Sequence, residues 1–363
     1  MIRILHVVTH MNRGGLETMI MNYYRNIDRE KVQFDFLVHR KYEANYDKEI
    51  ESLGGKIYRL SVLNPFSFSY RKELNSFFKE HKEYQIVHVH QDCLSSIILK
   101  SAKRNNVKVR IAHSHSINQD KNIKYFIKMF YRQFIPKYAT DLMACGEAAG
   151  KWMFSGSQFC VLNNSINTEL YSFNEEKRKQ IRAEFNIAEG ELVIGHVGRF
   201  SPPKNHNFLI KIFKEIIQKK NAKLLLVGDG NLRGMIENKI ENLGLKENVI
   251  FTGVRSDVAN LMQAMDVFVF PSLYEGLPVT MVEAQAAGLP CVISDNVPSE
   301  CIITEGLVTK CSLNDSEDVW ANYILKSINK QRRDTRKEII NAGFDIKESA
   351  KNLEKFYYKK LVE

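Results

Sequence analysis

Two glutamates eight residues apart, Glu275 and Glu283, stand in the segment FPSLYEGLPVTMVE at 270–283. Apolar residues at its start predict the end of a buried strand, and Pro278 suits the first position of a new helix. The free amides at 277–280 would then lie at the sheet edge, where a phosphate can bind with a carboxylate beside it for a sugar hydroxyl. For an isolated pair of glutamates, a loop acid and a surface helix acid in water would be the commoner explanation.

A second set of candidate ligands lies in the segment GRFSPPKN at 198–205. Arg199 offers a planar fork of donors and Lys204 a point charge, a pair suited to a diphosphate. The chain contains no D-x-D motif, which a metal-dependent nucleotide-sugar site would normally need. We therefore expect no metal and no other cofactor, because the two basic side chains would neutralise the leaving group themselves. Taken alone, the segment would be explained better as a solvated basic loop.

Three further motifs follow predicted strands. Gly14-Gly15 would let the backbone approach a ligand or adopt positive φ, although a plain tight turn explains the pair equally well. One of His113 and His115 could bind a sugar hydroxyl, and their spacing predicts opposite faces of the strand, which argues against joint metal ligation. The turn at 253–257 could offer backbone groups to a nucleotide base. No G-x-G-x-x-G dinucleotide fingerprint is present.

Alternating strand and helix patterns position these motifs. Apolar strands alternate with amphipathic helices from residue 2 to about residue 145, the pattern breaks near 163–167, and a second series starts at residue 192. The charged helix at 175–185 is interpreted as part of a linker. The predicted fold class is α/β, with two doubly wound, mostly parallel domains facing a central cleft, and the motifs fall at the carboxyl ends of their strands.

Composition and charge narrow the class of protein. Of the 363 residues, 44% are hydrophobic, which is ample for two cores. The net charge of +10 favours an acidic partner. No apolar run approaches the about 18 residues of a spanning helix, and the polar start is unlike a signal peptide. We therefore expect a cytoplasmic protein. The six cysteines include no C-x-x-C pair and thus no zinc or dithiol motif.

Taken together and in order, these motifs resemble the GT-B glycosyltransferases of family 4, which retain the anomeric configuration of the donor. The segments at 198–205 and 271–284 are the most specific, and MNRGGLE at 11–17 and RIAHSH at 110–115 add support. The resemblance covers essentially the whole chain. It is strongest to the members that build bacterial capsular polysaccharides and exopolysaccharides.

The resemblance implies a domain organisation. It places a Rossmann-like acceptor domain at 1–170, a Rossmann-like nucleotide-sugar donor domain at 171–345, and a tail helix at 346–363 that crosses back to the N-terminal domain. One departure concerns the interdomain strand, where the family often has N-G-[IV]-D and this chain has NSIN at 164–167. We assign no role to that segment.

The same resemblance implies a role for each candidate residue. Arg199 and Lys204 would hold the donor diphosphate, Glu283 the ribose hydroxyls and Glu275 the transferred sugar. His115, with His113 as the alternative, would face the sugar from the other domain. The implied catalytic residues are His115, Glu275, Arg199 and Lys204. The implied donor-binding residues are Gly15, Gly198, Arg199, Lys204, Arg255, Glu275, Gly276, Leu277, Pro278, Val279 and Glu283.

The predicted activity is transfer of a hexose or N-acetylhexosamine from a nucleotide sugar, a UDP-sugar by preference, to a saccharide acceptor, with a lipid-linked one preferred. The expected partners are donor, acceptor and an anionic membrane surface, and not nucleic acid. A nucleotide-sugar epimerase or phosphorylase on the same fold is an enzymatic alternative. A non-catalytic nucleotide-sugar-binding partner of a polysaccharide assembly complex is another, and a nicotinamide oxidoreductase is a distant third.

The membrane hypothesis depends on one predicted helix at 123–138. Its apolar and aromatic residues recur at helical spacing and predict a face buried in the core. Lys121, Lys124, Lys128 and Arg132 recur on a different face, and about 1 kcal/mol for each basic group would suffice for reversible docking on anionic lipid. We expect peripheral binding to the inner face of the cell membrane. An ordinary domain helix is the alternative.

Overall fold

The computed structural model describes residues 1–116 and 123–363, and for residues 123 and 124 the backbone alone. The chain divides into two compact units. Unit 1 consists of Met1–Ser165 and Ile346–Glu363, and unit 2 consists of Ile166–Asp345. The chain thus leaves unit 1 at residue 165, five residues before the boundary expected at 170, and it returns for the final helix.

The described elements alternate as the sequence pattern predicts. The strands are β1 (Ile2–Val8), β2 (Val32–Val38), β3 (Ile57–Arg59), β4 (Ile86–Val89), β5 (Val109–Ser114), β6 (Asp141–Ala144), β7 (Cys160–Val161), β8 (Leu192–Val197), β9 (Ala222–Val227), β10 (Val249–Gly253), β11 (Val267–Phe270), β12 (Cys291–Ser294) and β13 (Val308–Cys311). The helices are α1 (Gly15–Asn26), α2 (Asp47–Ser52), α3 (Phe68–Glu80), α4 (Ser95–Arg104), α5 (Ile123–Arg132), α6 (Ile135–Tyr138), α7 (Glu147–Phe154), α8 (Thr168–Tyr171), α9 (Glu175–Glu184), α10 (His206–Ile217), α11 (Arg233–Asn242), α12 (Val258–Ala264), α13 (Val279–Ala286), α14 (Glu317–Ser327), α15 (Arg336–Asn341) and α16 (Ile346–Val362).

Each unit is built on one parallel sheet. The sheet of unit 1 has the order β3-β2-β1-β4-β5-β6-β7, and that of unit 2 the order β10-β9-β8-β11-β12-β13. In both, the strand order reverses beside the first strand of the unit, which is the topological switch point where open α/β sheets bind ligands. The predicted α/β class with two doubly wound sheets is confirmed.

Apolar side chains cover both faces of each sheet. On β1, Ile4 and Val8 join a core with Tyr23 of α1 and Tyr357 of α16. Leu5, which points to the other face, joins a separate core with residues of α3 and α4. Because neighbouring residues of a strand point to opposite faces, a strand buried on both sides is apolar throughout, as the sequence of β1 nearly is. The polar exceptions are Arg3, which pairs with Asp35 at 2.5 Å, and His6, which is buried on the α16 side.

The single helix predicted at 123–138 is wrong, because the structure contains two helices there. Helix α5 ends at Arg132, and α6 starts at Ile135 with Pro136 in its first turn. A proline inside a helix lacks the N–H donor, and its ring clashes with the carbonyl four residues earlier, here that of Arg132. The helix therefore ends where that clash would begin.

The charged helix interpreted as a linker, α9, belongs to unit 2. Arg178 donates to the carbonyls of Gln263, Ala264 and Met265 at the end of α12 and pairs with Asp266 at 2.5 Å. These carbonyls have no partner inside their own helix. The basic side chains of α9 therefore bind a neighbouring helix end. Among the described residues, no helix combines the length and the apolar character needed to cross a membrane.

Candidate functional site

Two loops of unit 2 carry the candidates with the strongest sequence signal. The first loop joins β8 to α10 and contains Lys204, and the second joins β11 to α13 and contains Glu275. Lys204 Nζ lies 2.7 Å from Glu275 Oε1, with only 17% and 12% of the two side chains exposed. The ammonium also lies 4.5 Å from the ring centroid of Phe270, at the end of β11. The structure therefore brings together two residues that are 71 positions apart.

Glycines permit the close packing of the backbone around the β8 loop. Gly228, with φ +133°, lies so close to Gly198 that a Cβ would stand 2.2 Å from the Gly198 carbonyl oxygen. A Cβ on Gly230 would stand 2.4 Å from the carbonyl oxygen of Phe200. The Gly198 amide itself donates to Val227 O at 3.0 Å. The glycines after β9 thus hold the Arg199–Lys204 loop in place by close backbone contact.

Helix α13 begins one residue later than the sequence suggests. Pro278 occupies the N-cap position, and Val279 is the first helical residue. A proline has no N–H, so the amides available at this helix start come from Leu277, Val279 and Thr280. The hydroxyl oxygens of Thr280 and of Ser272 are buried and have no hydrogen-bond partner among the described residues. This end of the sheet therefore offers unused donors to an anion.

Glu283 projects from α13 toward Tyr171 of α8. The Tyr171 hydroxyl donates to Glu283 Oε1 at 2.5 Å. Burial raises the pKa of the Glu283 carboxyl, and the bond from Tyr171 opposes that rise. Nothing in the sequence near α8 signals this contact, because the two residues are 112 positions apart. Tyr171 fixes the direction of a carboxylate that a ligand hydroxyl could reach.

The two candidate arginines of unit 2 differ in their surroundings. Arg199 is exposed, and among the described residues its guanidinium makes no hydrogen bond or ion pair. Arg255 donates to both carboxylate oxygens of Asp257, at 2.7 and 2.8 Å, and to Glu184 at 3.3 Å. These bonds raise the pKa of the Arg255 guanidinium. Arg199 is thus free to meet an anion, whereas Arg255 is already held by carboxylates.

The glycine candidate of unit 1 lies at the start of α1. Gly15 is the first residue of that helix and is exposed, and an added Cβ would have open space around it. Gly14 is the N-cap residue with φ −146°, and neither glycine has positive φ. A need for positive φ, which was one explanation of the two adjacent glycines, is therefore excluded.

The prediction that His113 and His115 point to opposite faces is wrong. Their ring centroids are 4.1 Å apart, because residues at positions i and i+2 of a strand share a face. His115 Nε2 also lies 2.9 Å from His90 Nδ1. His113 is 1% exposed and His115 is half-buried, so His115 is the more accessible of the two. Burial lowers the pKa of His115 to about 3 and that of His113 well below its ordinary value.

The arrangement in unit 2 can bind an anion next to a polyhydroxylated group. Arg199 and Lys204 supply positive charge, and the start of α13 supplies amides and the Thr280 hydroxyl. Glu275 and Glu283 supply acceptors for hydroxyl groups. Sequence reasoning included the amide of Thr280 and missed its hydroxyl, as it missed Tyr171 and Ser272. Of these, only Thr280 had a signal, because its place in the first turn of the helix was predictable from Pro278.

Comparison with known proteins agrees with this geometry. Residues 177–345 match the family model described as glycosyl transferases group 1. The chain is 39% identical to the putative glycosyltransferase EpsF of Bacillus subtilis (strain 168), over 96% of this chain and 94% of that protein. It is 26% identical to the UDP-Gal:alpha-D-GlcNAc-diphosphoundecaprenol alpha-1,3-galactosyltransferase of Escherichia coli, over 79% of each. It is 24% identical to the capsular polysaccharide biosynthesis glycosyltransferase CapH of Staphylococcus aureus, over 99% of each.

A solved structure shares the fold. The crystal structure of Anabaena Alr3699/HepE in complex with UDP-glucose matches with a TM-score of 0.80 and 18% identity, over 99% of this chain and 100% of that one. Together with the relatives, this match places the chain among the GT-B glycosyltransferases. The chain belongs to the glycosyl transferases group 1 family, and the resemblance inferred from its motifs is confirmed.

The buried histidines make stability depend on pH. Burial lowers the pKa of His6 to about 3 and that of His39 to about 4, and it lowers the pKa values of His88 and His90 well below their ordinary value. The unfolded chain would protonate near pH 6.5, so it binds more protons below that pH. We expect full stability above pH 6.5 and a fall toward pH 4, with up to about 1.4 kcal/mol per pH unit from each histidine.

Urea unfolding at several pH values, followed by circular dichroism, measures this slope. His6→Phe should reduce the slope, because it removes one titrating group and keeps a ring among Phe34 and Phe36. Met235→Ser, at an exposed apolar residue that does not titrate, is the control and should leave the slope unchanged. A free energy of unfolding that stays constant between pH 7 and pH 5 would contradict the prediction.

Proposed function

We propose that this glycosyltransferase transfers a hexose or N-acetylhexosamine from a UDP-sugar to a lipid-linked saccharide, with retention of configuration and without a metal. The observation that supports this proposal most directly is the ion pair between Lys204 and Glu275. It lies at the carboxyl end of the sheet of unit 2, close to the start of α13. The E. coli relative is named for a UDP-Gal donor and a diphosphoundecaprenol-linked acceptor. The HepE structure contains UDP-glucose. CapH is named for capsular polysaccharide synthesis.

The donor diphosphate would bind between the basic loop and helix α13. Lys204 would exchange part of its contact with Glu275 for a phosphate oxygen, and Arg199 would add a planar pair of donors. The amide of Val279 and the hydroxyl of Thr280 would complete the site. Because these groups neutralise the charge that develops on the leaving diphosphate, the reaction needs no metal ion at this position.

Glu275 and His115 are the side chains that we assign to the transferred sugar. Neither side chain needs to act as a nucleophile in this proposal. The leaving phosphate would take the proton of the acceptor hydroxyl as the new bond forms on the same face of the sugar, which preserves the anomeric configuration. Glu275 and His115 would hold the sugar in the reactive geometry.

Glu283 would bind the ribose hydroxyls of the nucleotide. We expect Glu283→Gln to weaken UDP binding by roughly 1.5–3 kcal/mol, because a charge-assisted hydrogen bond is lost. Tyr171→Phe should weaken it less, because the carboxylate loses its orientation and keeps its charge. Isothermal calorimetry with UDP measures both, and Glu237→Gln on the exposed face of α11 is the control. Equal affinity of wild type and Glu283→Gln would reject this role.

A transfer assay tests the function itself. The purified protein, a panel of UDP-sugars and a polyprenyl-diphosphate-linked sugar should give a disaccharide whose new linkage keeps the donor configuration by NMR. Activity should persist in EDTA. Arg199→Ala and Lys204→Ala should each reduce turnover strongly, and their effects should not add, because both groups neutralise one leaving group.

Other outcomes of the assay separate the alternatives. An inverted linkage, or loss of activity in EDTA that Mg²⁺ restores, would contradict retention or metal independence. A changed UDP-sugar without an acceptor would indicate an epimerase. UDP-sugar binding without turnover on any acceptor would indicate a non-catalytic partner.

We further propose that unit 1 binds the cytoplasmic face of the cell membrane, through a surface that differs from the sequence prediction. Phe126 and Phe130 of α5, expected in the core, are 76% and 55% exposed, and Phe68 at the start of α3 is 82% exposed. Arg132, expected on the basic face, instead packs over Trp152 at 5.1 Å. Lys121 lies outside the described residues, as does the side chain of Lys124.

Two of these exposed phenylalanines, Phe68 and Phe130, line a groove of about 600 Å³ between α3, α4, α5 and α6. Its basic lining residues are Arg71, Lys72, Lys100 and Arg104, and no acidic residue lines it among the described part of the chain. Aromatic rings at the level of lipid headgroups and basic side chains next to anionic lipid both favour interfacial binding. We refer to this surface as the aromatic–basic groove.

Vesicle co-sedimentation tests the membrane proposal. Binding to phosphatidylcholine vesicles should require added phosphatidylglycerol and should fall in high salt. The double substitution Lys72→Glu with Lys100→Glu should abolish vesicle binding, because it replaces two positive charges with negative ones that anionic lipid repels. Phe126→Ser with Phe130→Ser should weaken it at every salt concentration. Met235→Ser, at an exposed apolar residue of unit 2, is the matched control. Failure of the wild type to co-sediment at low salt would overturn the proposal.

A further inference from the structure

Five histidines of unit 1 form one buried cluster on three neighbouring strands. His6 lies on β1 and His88 on β4, His113 lies on β5, and His90 and His115 follow the ends of β4 and β5. The rings of His88 and His90 are 4.5 Å apart, and those of His88 and His113 are 5.1 Å apart. The proposed transfer reaction uses only His115, so four of the five have no role in it.

Three ring nitrogens of the cluster are buried without a hydrogen-bond partner among the described residues: His6 Nε2, His113 Nε2 and His115 Nδ1. The other nitrogen of each ring is held by a neighbouring histidine. His113 Nδ1 lies 3.1 Å from His88 Nε2, and His88 Nδ1 lies 2.8 Å from the Tyr357 hydroxyl of α16. His113 and His115 thus have the form typical of a metal-binding histidine, with one nitrogen held by a partner and the other left for an ion.

Three of the rings converge closely enough to share an ion. One nitrogen from each of His90, His113 and His115 lies within 4.8 Å of the other two. Tetrahedral zinc with about 2.0–2.1 Å bonds sets its ligand nitrogens about 3.4 Å apart, so movements of roughly 1 Å would close the site. Because His115 is half-buried, an ion and a fourth ligand from solvent could reach the three rings.

We propose that His90, His113 and His115 form a binding site for a divalent transition metal of the zinc type. Imidazole nitrogens suit Zn²⁺ and Co²⁺, whereas Mg²⁺ and Ca²⁺ require oxygen ligands. His90 Nε2 is oriented by His6 Nδ1 at 3.1 Å, and His90 Nδ1 lies 2.9 Å from His115 Nε2, a contact that the ion would replace. His6 and His88 are therefore the outer partners of the site.

Metal at this site has a consequence for the reaction, which depends on the proposed function. The ion would occupy the nitrogens of the ring assigned to the transferred sugar. Zn²⁺ would therefore inhibit transfer, and a chelator would restore it. Inhibition by Zn²⁺ is compatible with the proposed metal-independent transfer, because the ion at this site would block the reaction and not take part in it.

Cobalt titration of the chelator-treated, untagged protein tests the site without any donor or acceptor. Co²⁺ should bind with one-to-one stoichiometry and produce the visible absorption of a low-symmetry nitrogen site, and Zn²⁺ should displace it. His115→Gln removes one ligand and should weaken Zn²⁺ binding at least tenfold. His81→Gln, at a histidine outside the cluster, should leave binding unchanged.

A second substitution guards against loss of structure. His6→Asn removes an outer partner and should weaken metal binding about 10–100-fold. Circular dichroism identifies any variant that does not fold, and Zn²⁺ should raise the melting temperature of wild type and not of His115→Gln. Absence of Co²⁺ absorption, or equal binding by His115→Gln and wild type, would overturn the site. Binding without inhibition of transfer would overturn only the inhibitory role.

Discussion

The candidate donor site depends on one mostly buried ion pair, Lys204 with Glu275. An ammonium that is 17% exposed would be costly without a partner, and the carboxylate at 2.7 Å supplies one. The backbone supports the same contact, because Leu273 N donates to Pro203 O at 2.8 Å. The two loops that follow β8 and β11 are thus held together. The pair keeps positive charge at a place where an incoming diphosphate could take over part of the contact.

Unit 1 arranges its polar groups at the strand ends in a different way. The histidines that follow one another across β1, β4 and β5 have rings that stack and hydrogen-bond. Tyr357 of α16 connects this row to the C-terminal helix through His88. Helix α16 also packs on α1 through an apolar face that includes Leu353. The final helix therefore belongs to the core of unit 1, although 180 residues of unit 2 separate it from the rest of that unit.

In the segment from α5 to α6, a single proline changes which side chains are buried and which are exposed. The amphipathic pattern of 123–138 is real, but Pro136 ends α5 at Arg132, and the two helices then pack separately. Ile135 is buried, whereas Phe126 and Phe130 are exposed, and Phe130 lines a groove together with basic side chains of α3 and α4. An exposed aromatic and basic surface of this kind is typical of proteins that work at an interface.

The sequence by itself determined the class of fold, the family and most of the strands. These follow from local patterns, such as apolar runs of β1 and β11 and the motif around Lys204 and Glu275. Tertiary structure alone decided which distant residues meet. Tyr171 reaches Glu283, Asp266 binds α9, and five histidines from three strands converge, although 25 to 112 positions separate the partners. A pattern of hydrophobicity records which face a residue occupies, and it does not record which side chain lies opposite, because that depends on sheet order and on the packing of helices above it.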